Sequence, residues 1–227
     1  IDGYRYDSTT YEYKLGETTA TDATVVKDQM KEVIITNNYT KLIDVTITKV
    51  LVDDYSNGEE SFKFTAVLTE NGNNITEEYL GNNKEFSLVP GSEKTAAKTL
   101  SGIPAGAVLV VTEEADVNYT TVVNPAGANE SSGSILVSDD ANTIKFINTR
   151  KVVNVTLKKT ASDGTTPLNG AQFSLQGVDP LSDAIEIIMT EGTYLIEDLP
   201  SGTYTLTEIK APDGYVILDK DITFTVN

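Results

Sequence analysis

Three residues whose side chains could react with one another lie on strand faces that the sequence predicts to be buried. Lys49 continues an apolar face that alternates from residue 43 onward, and such alternation is typical of a half-buried β-strand. Asn148 ends a similar face in residues 144–148, and Glu113 ends an alternating strand between the two. A lysine, a glutamate and an asparagine on inner faces of one unit suggest a single polar site.

This set of residues has two interpretations. In the first, Lys49 and Glu113 form a buried ion pair with Asn148 as a hydrogen-bond partner, although such a pair adds little net stability over an apolar replacement. In the second, the site is covalent, because burial favours a neutral, nucleophilic lysine amine and a glutamate that holds a proton. Attack on the Asn148 carboxamide would then expel ammonia and leave a Lys–Asn isopeptide bond.

The motif that precedes Glu113 recurs near the end of the chain. IPAG at 103–106 comes before the strand that ends in Glu113, and LPSG at 199–202 comes before the strand that ends in Glu208. In that second strand, YTLTE, Glu208 shares the apolar face, where an isolated charge is costly. The repetition predicts that Glu208 is paired, protonated or put to chemical use.

The lysine and the asparagine recur as well. Lys159 continues the apolar face of residues 153–157, as Lys49 does in its own strand. Asn37 ends an alternating strand at 33–37 and so repeats the setting of Asn148. We therefore expect one complete set of three residues and parts of two others.

The repeats divide the chain near residues 40 and 150. Residues 1–40 are interpreted as the C-terminal strands of an incomplete unit, and residues 41–150 as a complete one. Residues 151–227 are interpreted as a unit that lacks its last strand. Short alternating runs between turn residues predict an all-β chain of tandem β-sandwiches.

Composition excludes several classes of function. The 227 residues carry 17 basic and 34 acidic side chains, and a net charge of −17 disfavours nucleic acid and anionic membranes as partners. No apolar run is long enough for membrane insertion. Because the chain has no Cys and no His, it lacks cysteine nucleophiles, the usual general base and the commonest metal ligand, so we expect neither a cofactor, nor a metal, nor an enzyme with turnover.

The stretch YTLTEIKAPDGY at 204–215 resembles the glutamate-containing segment of collagen-adhesin B-type (CnaB, SpaA-like) domains, which are prealbumin-like modules of Gram-positive pilins and surface adhesins. VTLKKTASDGTTPLNGAQFSL at 155–175 is similar to the opening strands of that family. VTITK, LSGIPAGAVLVVTEE and IKFINTR of the middle unit resemble the repeats of a major pilin. The resemblance implies tandem inverted immunoglobulin-like β-sandwiches.

The same resemblance implies roles for the polar residues. Lys49 and Asn148 would form a cross-link with Glu113 as the catalyst, whereas Glu114 has the wrong strand parity for that role. In the last unit Lys159 and Glu208 match the family pattern as cross-linking and catalytic residues. Asn227 follows Glu208 too closely and looks like a loop residue, so the bonding asparagine of that unit is expected to be missing.

The corresponding asparagine of the first piece is Asn37, whose own lysine and glutamate are absent. One hypothesis joins the two incomplete ends: residues 17–40 of a neighbouring molecule would supply the missing strand, with Asn37 facing Lys159 and Glu208. Truncation of a longer array explains the two ends equally well.

The expected function is structural, that of a stalk or pilus-shaft segment outside a Gram-positive cell, at the cell wall or in a pilus. Its cross-linking would be a single-turnover reaction, and its partners would be neighbouring subunits or domains of a surface fibre. The alternative is an adhesive module that binds a host protein or glycan through loops at 71–84 and 124–138.

Two local patterns complete these predictions. Residues 92–98 are the only modest helical candidate. Residues 53–64 resemble a calcium loop but have Phe64 where the bidentate glutamate should be, so a solvated hairpin turn is predicted there.

Overall fold

A computed structural model shows the chain as almost entirely β-strand, which confirms the all-β prediction. The structure describes residues 2–15, 18–20, 31–140, 142–179 and 184–226. Two separate groups of buried apolar side chains form the cores, one from residues 45–146 and one from residues 171–226.

The N-terminal hairpin consists of long strands that are paired at eleven positions, with one register shift between Tyr6 and Ser8. It pairs β1 antiparallel with the first part of β3, and a short third strand, β2, extends β1 on its other side. The strands concerned are β1 (Tyr4–Leu15), β2 (Thr18–Ala20) and β3 (Lys31–Val52). β3 runs without a break through residue 40, so one strand serves both the hairpin and the middle unit.

The middle unit, residues 41–150, packs two sheets face to face. Its strands after β3 are β4 (Phe62–Glu70), β5 (Asn73–Asn74), β6 (Glu85–Leu88), β7 (Thr95–Pro104), β8 (Val108–Glu113), β9 (Tyr119–Asn124), β10 (Ser132–Leu136) and β11 (Thr143–Arg150). In the first sheet β7 is antiparallel to β3, β11 is parallel to β3, and β9 flanks β11. The facing sheet has the order β10–β8–β4–β5, with β6 also paired to β4.

Alternation explains how these strands form a core. Along β4 every second residue is buried from Phe62 to Leu68, and the same holds for β8 from Leu109 to Glu113. The inner faces of β3 and β11 close the core from the other side, since Ile47 and Phe146 are fully buried. A sheet with one apolar face is stable only when that face is covered, which the second sheet provides.

The C-terminal unit, residues 152–226, repeats part of this plan. Its strands are β12 (Val152–Lys158), β13 (Gln172–Asp179), β14 (Ile185–Ile188), β15 (Thr193–Pro200), β16 (Gly202–Lys210) and β17 (Ile222–Val226). β12 pairs with β15 in a two-stranded sheet, as β3 pairs with β7. The facing sheet has the order β14–β13–β16–β17.

The helical prediction for residues 92–98 was wrong. A tight turn with Lys94 at a positive φ of 57° leads directly into β7, where Ala96 lies opposite Lys49. Pairing with β3 overrides the helical propensity of this alanine-containing segment. The helical segments lie instead at α1 (Thr76–Tyr79) and in the 3₁₀ turn Gly81–Lys84.

Polar contacts join the middle and C-terminal units at the point where β11 ends. The backbone N–H of Ser201 donates to the Lys151 carbonyl at 3.1 Å, and the Ser201 hydroxyl donates to Asn118 Oδ1 at 3.1 Å. On another side the Tyr55 hydroxyl donates to the carbonyl of Asp198 at 3.1 Å. These contacts restrain a junction in which β12 starts only two residues after β11 ends.

Candidate functional site

The middle unit brings Lys49, Glu113 and Asn148 together inside its core. Lys49 lies on β3 and Asn148 on β11, which are adjacent parallel strands with Phe146 in register with Lys49. Glu113 reaches them from β8 in the facing sheet, next to Phe64 of β4. The site therefore bridges both sheets and joins the first long strand of the unit to its last.

One carboxylate oxygen binds both nitrogen atoms. Lys49 Nζ donates to Glu113 Oε1 at 2.7 Å, and Asn148 Nδ2 donates to the same oxygen at 2.6 Å. The amine and the carboxamide are therefore held side by side, with an atom that can accept a proton between them. Neighbouring groups with these types and this spacing are what nucleophilic attack on an amide requires.

Burial changes the acid–base behaviour of the lysine. Lys49 and Asn148 have no exposed surface, and Glu113 is only 2% exposed. Burial lowers the pKa of Lys49 from 10.5 to about 8, against the opposing effects of the Glu113 hydrogen bond and of the charges on Glu113 and Asp116. The amine also lies 4.0 Å from the centre of the Phe62 ring. A lysine with this pKa has a far larger neutral fraction near neutral pH than an exposed one.

Two oxygens of the triad have no hydrogen-bond partner among the described residues, namely Glu113 Oε2 and Asn148 Oδ1. A buried acceptor without a donor costs about 1–3 kcal/mol. A proton on the Glu113 carboxyl group would add a donor beside these acceptors. The arrangement thus accommodates a protonated glutamate as well as a lysine–carboxylate ion pair.

The C-terminal unit places Lys159 next to Glu208, as the repeat predicts. Lys159 Nζ lies 3.0 Å from Glu208 Oε1, an ion pair that lacks the angles of a hydrogen bond. The other carboxylate oxygen accepts the backbone N–H of Leu218 at 2.8 Å. The Glu208 side chain is fully buried, whereas 18% of the Lys159 side chain is exposed.

Asn37, the asparagine that the sequence prediction assigns to the first piece, does not join this pair within the chain. Asn37 is exposed on the N-terminal hairpin, where its Oδ1 accepts the Thr9 hydroxyl at 2.5 Å. Asn227 lies outside the described residues. Glu114, the less favoured alternative to Glu113, is exposed and pairs with Lys63 at 3.5 Å.

The sequence prediction missed a second buried polar group. Asp53 was expected in a solvated turn but is 5% exposed, because its Oδ2 accepts both Arg150 Nε and the Tyr119 hydroxyl at 2.8 Å. The Arg150 guanidinium also lies 4.5 Å from the centre of the Tyr119 ring. Asp53 directly follows β3 and Arg150 ends β11, so this group fastens the same two strands as the triad. The pairing was not predictable because Asp53 and Arg150 are separated by almost the whole unit in the sequence.

The two segments proposed as adhesive loops are largely structured. Residues 71–84 contain β5, α1 and the 3₁₀ turn, with the buried Thr76 hydroxyl bound to the backbone of Leu68. Residues 124–138 contain β10, which pairs with β8. Within the described residues no group of acidic side chains could hold a metal ion. In the same part of the chain, no helix has the length and apolar character needed to cross a bilayer.

Family models match both sandwich units. Residues 153–227 match the model described as SpaA, a prealbumin-like fold domain. Residues 45–151 match a model described as a domain of unknown function, DUF5979. The SpaA-type segment contains the Lys159–Glu208 pair, and the DUF5979 segment contains the complete triad.

Solved structures of Gram-positive proteins resemble the chain at low identity. The Bacillus anthracis TIE protein is 18% identical with a TM-score of 0.47, and the match covers 88% of this chain and 34% of that one. A C-terminal fragment of the pilus adhesin SpaC from Lactobacillus rhamnosus GG is also 18% identical with a TM-score of 0.43, covering 81% and 82% of the two chains. The pilus backbone RrgB of Streptococcus pneumoniae is 14% identical with a TM-score of 0.30, covering 100% and 80%. A comparison with curated proteins finds no match.

The chain spans about a third of the length of the TIE protein and 59% of a streptococcal ancillary pilin that is 20% identical to it, with a TM-score of 0.33.

Proposed function

We propose that this chain is a load-bearing stalk or pilus-shaft segment of a Gram-positive surface protein, whose middle unit is closed by a Lys49–Asn148 isopeptide bond. The observation that carries the proposal is the sharing of Glu113 Oε1 by the lysine amine and the asparagine carboxamide in a fully buried site. The SpaA-family match of the adjoining segment and the lack of cysteine agree with an extracellular fibre that is not held by disulfides.

The chemistry requires no group beyond the triad. A proton passes from the Lys49 ammonium to Glu113, which leaves a neutral amine and a carboxylic acid. The amine attacks Asn148 Cγ, a bond forms between Nζ and Cγ, and the bond between Cγ and Nδ2 breaks. Glu113 gives its proton to the departing nitrogen and takes one from the attacking nitrogen, so that ammonia leaves and Glu113 ends as the carboxylic acid. Transfer of that last proton to the departing ammonia, which then leaves as ammonium, restores the carboxylate. Because lysine and asparagine are consumed, the reaction occurs once per chain.

The strand order explains what the bond would do under load. β3 and β11 are adjacent and parallel, so the chain enters the middle unit at one end of this strand pair and leaves at the other. A pull along the chain therefore shears β3 against β11, and without a covalent bond it is resisted by backbone hydrogen bonds, side-chain packing and the Asp53–Arg150 ion pair. With Lys49 joined to Asn148 the load passes through a covalent bond and bypasses the residues between them.

Pulling single molecules by their two ends tests this function. The middle unit of the wild-type chain should release no length between Lys49 and Asn148 at forces that unfold ordinary β-sandwiches. The Glu113→Ala chain should release nearly a hundred further residues, because the bond does not form without the proton acceptor. Glu114→Ala is the matched control, since Glu114 is the adjacent residue on the opposite face and is exposed.

A wild-type middle unit that unfolds to its full length would contradict the proposal. If Glu113→Ala fails to fold, Asn148→Ala replaces it, because that variant keeps the Lys49–Glu113 pair and removes the carboxamide alone.

A further inference from the structure

The register between β3 and β11 decides whether the three residues of the triad meet. In the observed register Phe146 is paired with Lys49, and Asn148 Nδ2 donates to Glu113 Oε1 at 2.6 Å. A parallel strand rises about 3.3 Å per residue, so a slip of two residues would move Asn148 by roughly 6.6 Å. That displacement takes the carboxamide out of hydrogen-bonding reach of Glu113. The proposed reaction therefore needs this register as much as it needs the three side chains.

Burial alone does not select this register. A slip of one residue would turn the inner side chains of β11 outward, but a slip of two keeps the same side chains inside. In the observed register Ile144 is paired with Ile47, whereas the fully buried Phe146 is paired with Lys49. After a slip of two residues along β3, Ile144 would be paired with Val45 and Phe146 with Ile47. The slipped register has two apolar pairs instead of one, so apolar packing between these strands does not favour the observed register.

A buried ion pair does distinguish the two registers. Asp53 and Arg150 directly follow the last registered pair of the two strands, Val52 with Thr149. Arg150 Nε donates to Asp53 Oδ2 at 2.8 Å, and the two side chains are 7% and 0% exposed. After the same slip Arg150 would lie beside Leu51, and the Asp53 carboxylate would be buried without its cation. Because an unpaired buried charge is very costly, the ion pair strongly disfavours the slipped register.

A tyrosine extends the ion pair to a third strand. The Tyr119 hydroxyl donates to Asp53 Oδ2 at 2.8 Å, and Tyr119 is paired with Arg150 where β9 flanks β11. Burial and the hydrogen bond to Asp53 raise the pKa of Tyr119, so its hydroxyl remains a donor. The other carboxylate oxygen accepts the backbone N–H groups of Tyr55 and Ser56 at 3.0 and 3.2 Å. The carboxylate thus holds three adjacent strands at one end of the sheet.

This group is better satisfied than the triad. The Asp53 carboxylate accepts hydrogen bonds at both of its oxygens. In the triad, Glu113 Oε2 and Asn148 Oδ1 have no hydrogen-bond partner among the described residues. A fully satisfied buried network specifies one geometry, whereas a partly satisfied one does so poorly. The triad alone is therefore the weaker determinant of the register that its own reaction needs.

The turn that follows Asp53 does not depend on the ion pair. Asp163 stands four residues after the lysine of the C-terminal unit, as Asp53 stands four residues after the lysine of the middle unit. Asp163 Oδ1 accepts the backbone N–H groups of Thr165 and Thr166 at 2.8 Å, the same two positions along the chain, although Asp163 is exposed. The turn needs only a side-chain acceptor, so the charge of Asp53 has a separate role.

We propose that Asp53, Arg150 and Tyr119 form a register lock, which aligns β11 with β3 so that Asn148 reaches Lys49 and the bond can form. The inference rests on the proposed function, because it assigns positioning residues to that reaction. The three residues act through the alignment of two strands and do not take part in the exchange of bonds. Fixing the register of packed elements is the best-attested role of buried polar groups, whose net contribution to stability is small.

Disulfide trapping measures the register independently of the isopeptide bond. The chain contains no cysteine, and Asn148→Ala prevents the cross-link, so a pair of introduced cysteines reports on the register alone. Thr48→Cys with Lys145→Cys joins two residues that are paired in the observed register. Thr46→Cys with Lys145→Cys joins two residues that would be paired after the slip. Residues offset by two positions on neighbouring strands are about 8 Å apart, which is too far for a disulfide.

The variant that removes the lock is Asp53→Asn combined with Arg150→Met. It keeps a side-chain acceptor for the turn and fills the space of the arginine stem, and uncharged replacements of buried ion pairs are often neutral for stability. With the lock intact, a brief pulse of oxidised glutathione should link only the Thr48 and Lys145 positions. Without the lock, the Thr46 and Lys145 positions should be linked as well.

The rate of bond formation tests the consequence for the reaction. Chain with Asn148 in place is recovered in denaturant before the bond has formed, and its loss of one ammonia is followed during refolding. The double variant reacts only from the fraction of molecules in the observed register, so its rate should fall about tenfold. Its final mass deficit should equal that of the wild type. Ile144→Val is the matched control, because it shortens a fully buried side chain of β11 without changing a charge, and its rate should be that of the wild type.

A double variant in which only the Thr48 and Lys145 positions are linked would overturn the register lock, whatever its rate. A rate that falls equally in Ile144→Val would also overturn it, because stability alone would then explain the effect. A wild-type chain that loses no ammonia would contradict the proposed function. In that case the disulfide yields still decide whether the lock sets the register, so the two failures are distinguishable.

Discussion

The chain contains the same lysine–glutamate pair twice, and the two copies differ in how far they are closed. Lys49 and Glu113 lie with Asn148 in a site without solvent exposure. Lys159 and Glu208 lie at a similar distance, but part of the lysine is exposed and no described asparagine is bound to either. The comparison teaches that the two facing sheets alone bring lysine and glutamate together, and that the last strand completes the burial.

In the proposed reaction, burial also prepares the lysine for attack. With β11 in place, the loss of solvent lowers the pKa of Lys49 to about 8. A buried lysine side chain without polar partners costs a large amount of free energy, so Glu113 and Asn148 must both be in place. In the proposed reaction, the strand that carries Asn148 would thus supply both the electrophile and the burial that favours its attack.

The largest effect is expected from removing the third residue of the complete site. In Asn148→Ala the cross-link cannot form, and the closed loop of about a hundred residues is lost, which is worth roughly 4–5 kcal/mol in the free energy of unfolding. Denaturant unfolding measures the loss. Lys145→Ala on the same strand is the control, because Lys145 is exposed, and an equal loss in both variants would contradict the cross-link.

A similar but slightly smaller loss is expected from the second fastening of β3 to β11. Asp53→Ala leaves Arg150 buried without its carboxylate, which costs about 3–5 kcal/mol. The mass deficit of the cross-link should persist, because Asp53 is not part of the triad. Chemical denaturation followed by mass measurement checks both points. If the variant loses both the mass deficit and the stability, Asp53 is instead necessary for the reaction.

A smaller loss is expected in the open unit. Lys159→Met removes the partly exposed counter-charge of the buried Glu208 carboxylate, a cost of about 1–3 kcal/mol. The loss is measured by unfolding the C-terminal unit while a local probe, such as the fluorescence of an introduced label, reports on that unit. The chain mass of the monomer should be unaffected apart from the substitution. A loss as large as that of Asn148→Ala would mean that the unit is already cross-linked.

The smallest effect concerns the rate at which the middle bond forms. The reacting pair holds one proton, and since the lowered pKa of Lys49 is about 8 that proton is lost to solvent above this pH. Glu113 then has no proton for the leaving nitrogen, so the rate should fall about tenfold per pH unit above 8. To check this, the chain is recovered in denaturant before the bond has formed and is then refolded at several pH values. The mass of the chain is followed over time. A rate that keeps rising to pH 10 would contradict the role of Glu113 as proton donor.

Much of the middle site was predictable from strand parity. Lys49, Glu113 and Asn148 each end or continue an alternating face, and alternation directly reports which side chains point inward. Parity also separates Glu113 from its neighbour Glu114, and Lys159 from Lys158. These predictions need only the period of two of a β-strand.

Features that depend on pairing between distant strands were not predictable. The sequence does not show that β11 lies parallel to β3, which sets the direction of load across the unit. Nor does it show that Asp53 meets Arg150, since each stands beside a second charge of the same sign near a strand end, with no local signal of burial. The alanines of β7 favour a helix locally, and only their pairing with β3 makes them a strand.

The most direct test of the central claim is a tryptic digest of the wild-type chain with mass measurement of its peptides. We predict that cleavage after Lys49 fails and that the peptide containing Lys49 is joined to the peptide containing Asn148, with the mass of one ammonia missing from their sum. Separate peptides of full mass, with cleavage after Lys49, would contradict the cross-link and reduce the triad to a buried ion pair with an amide partner.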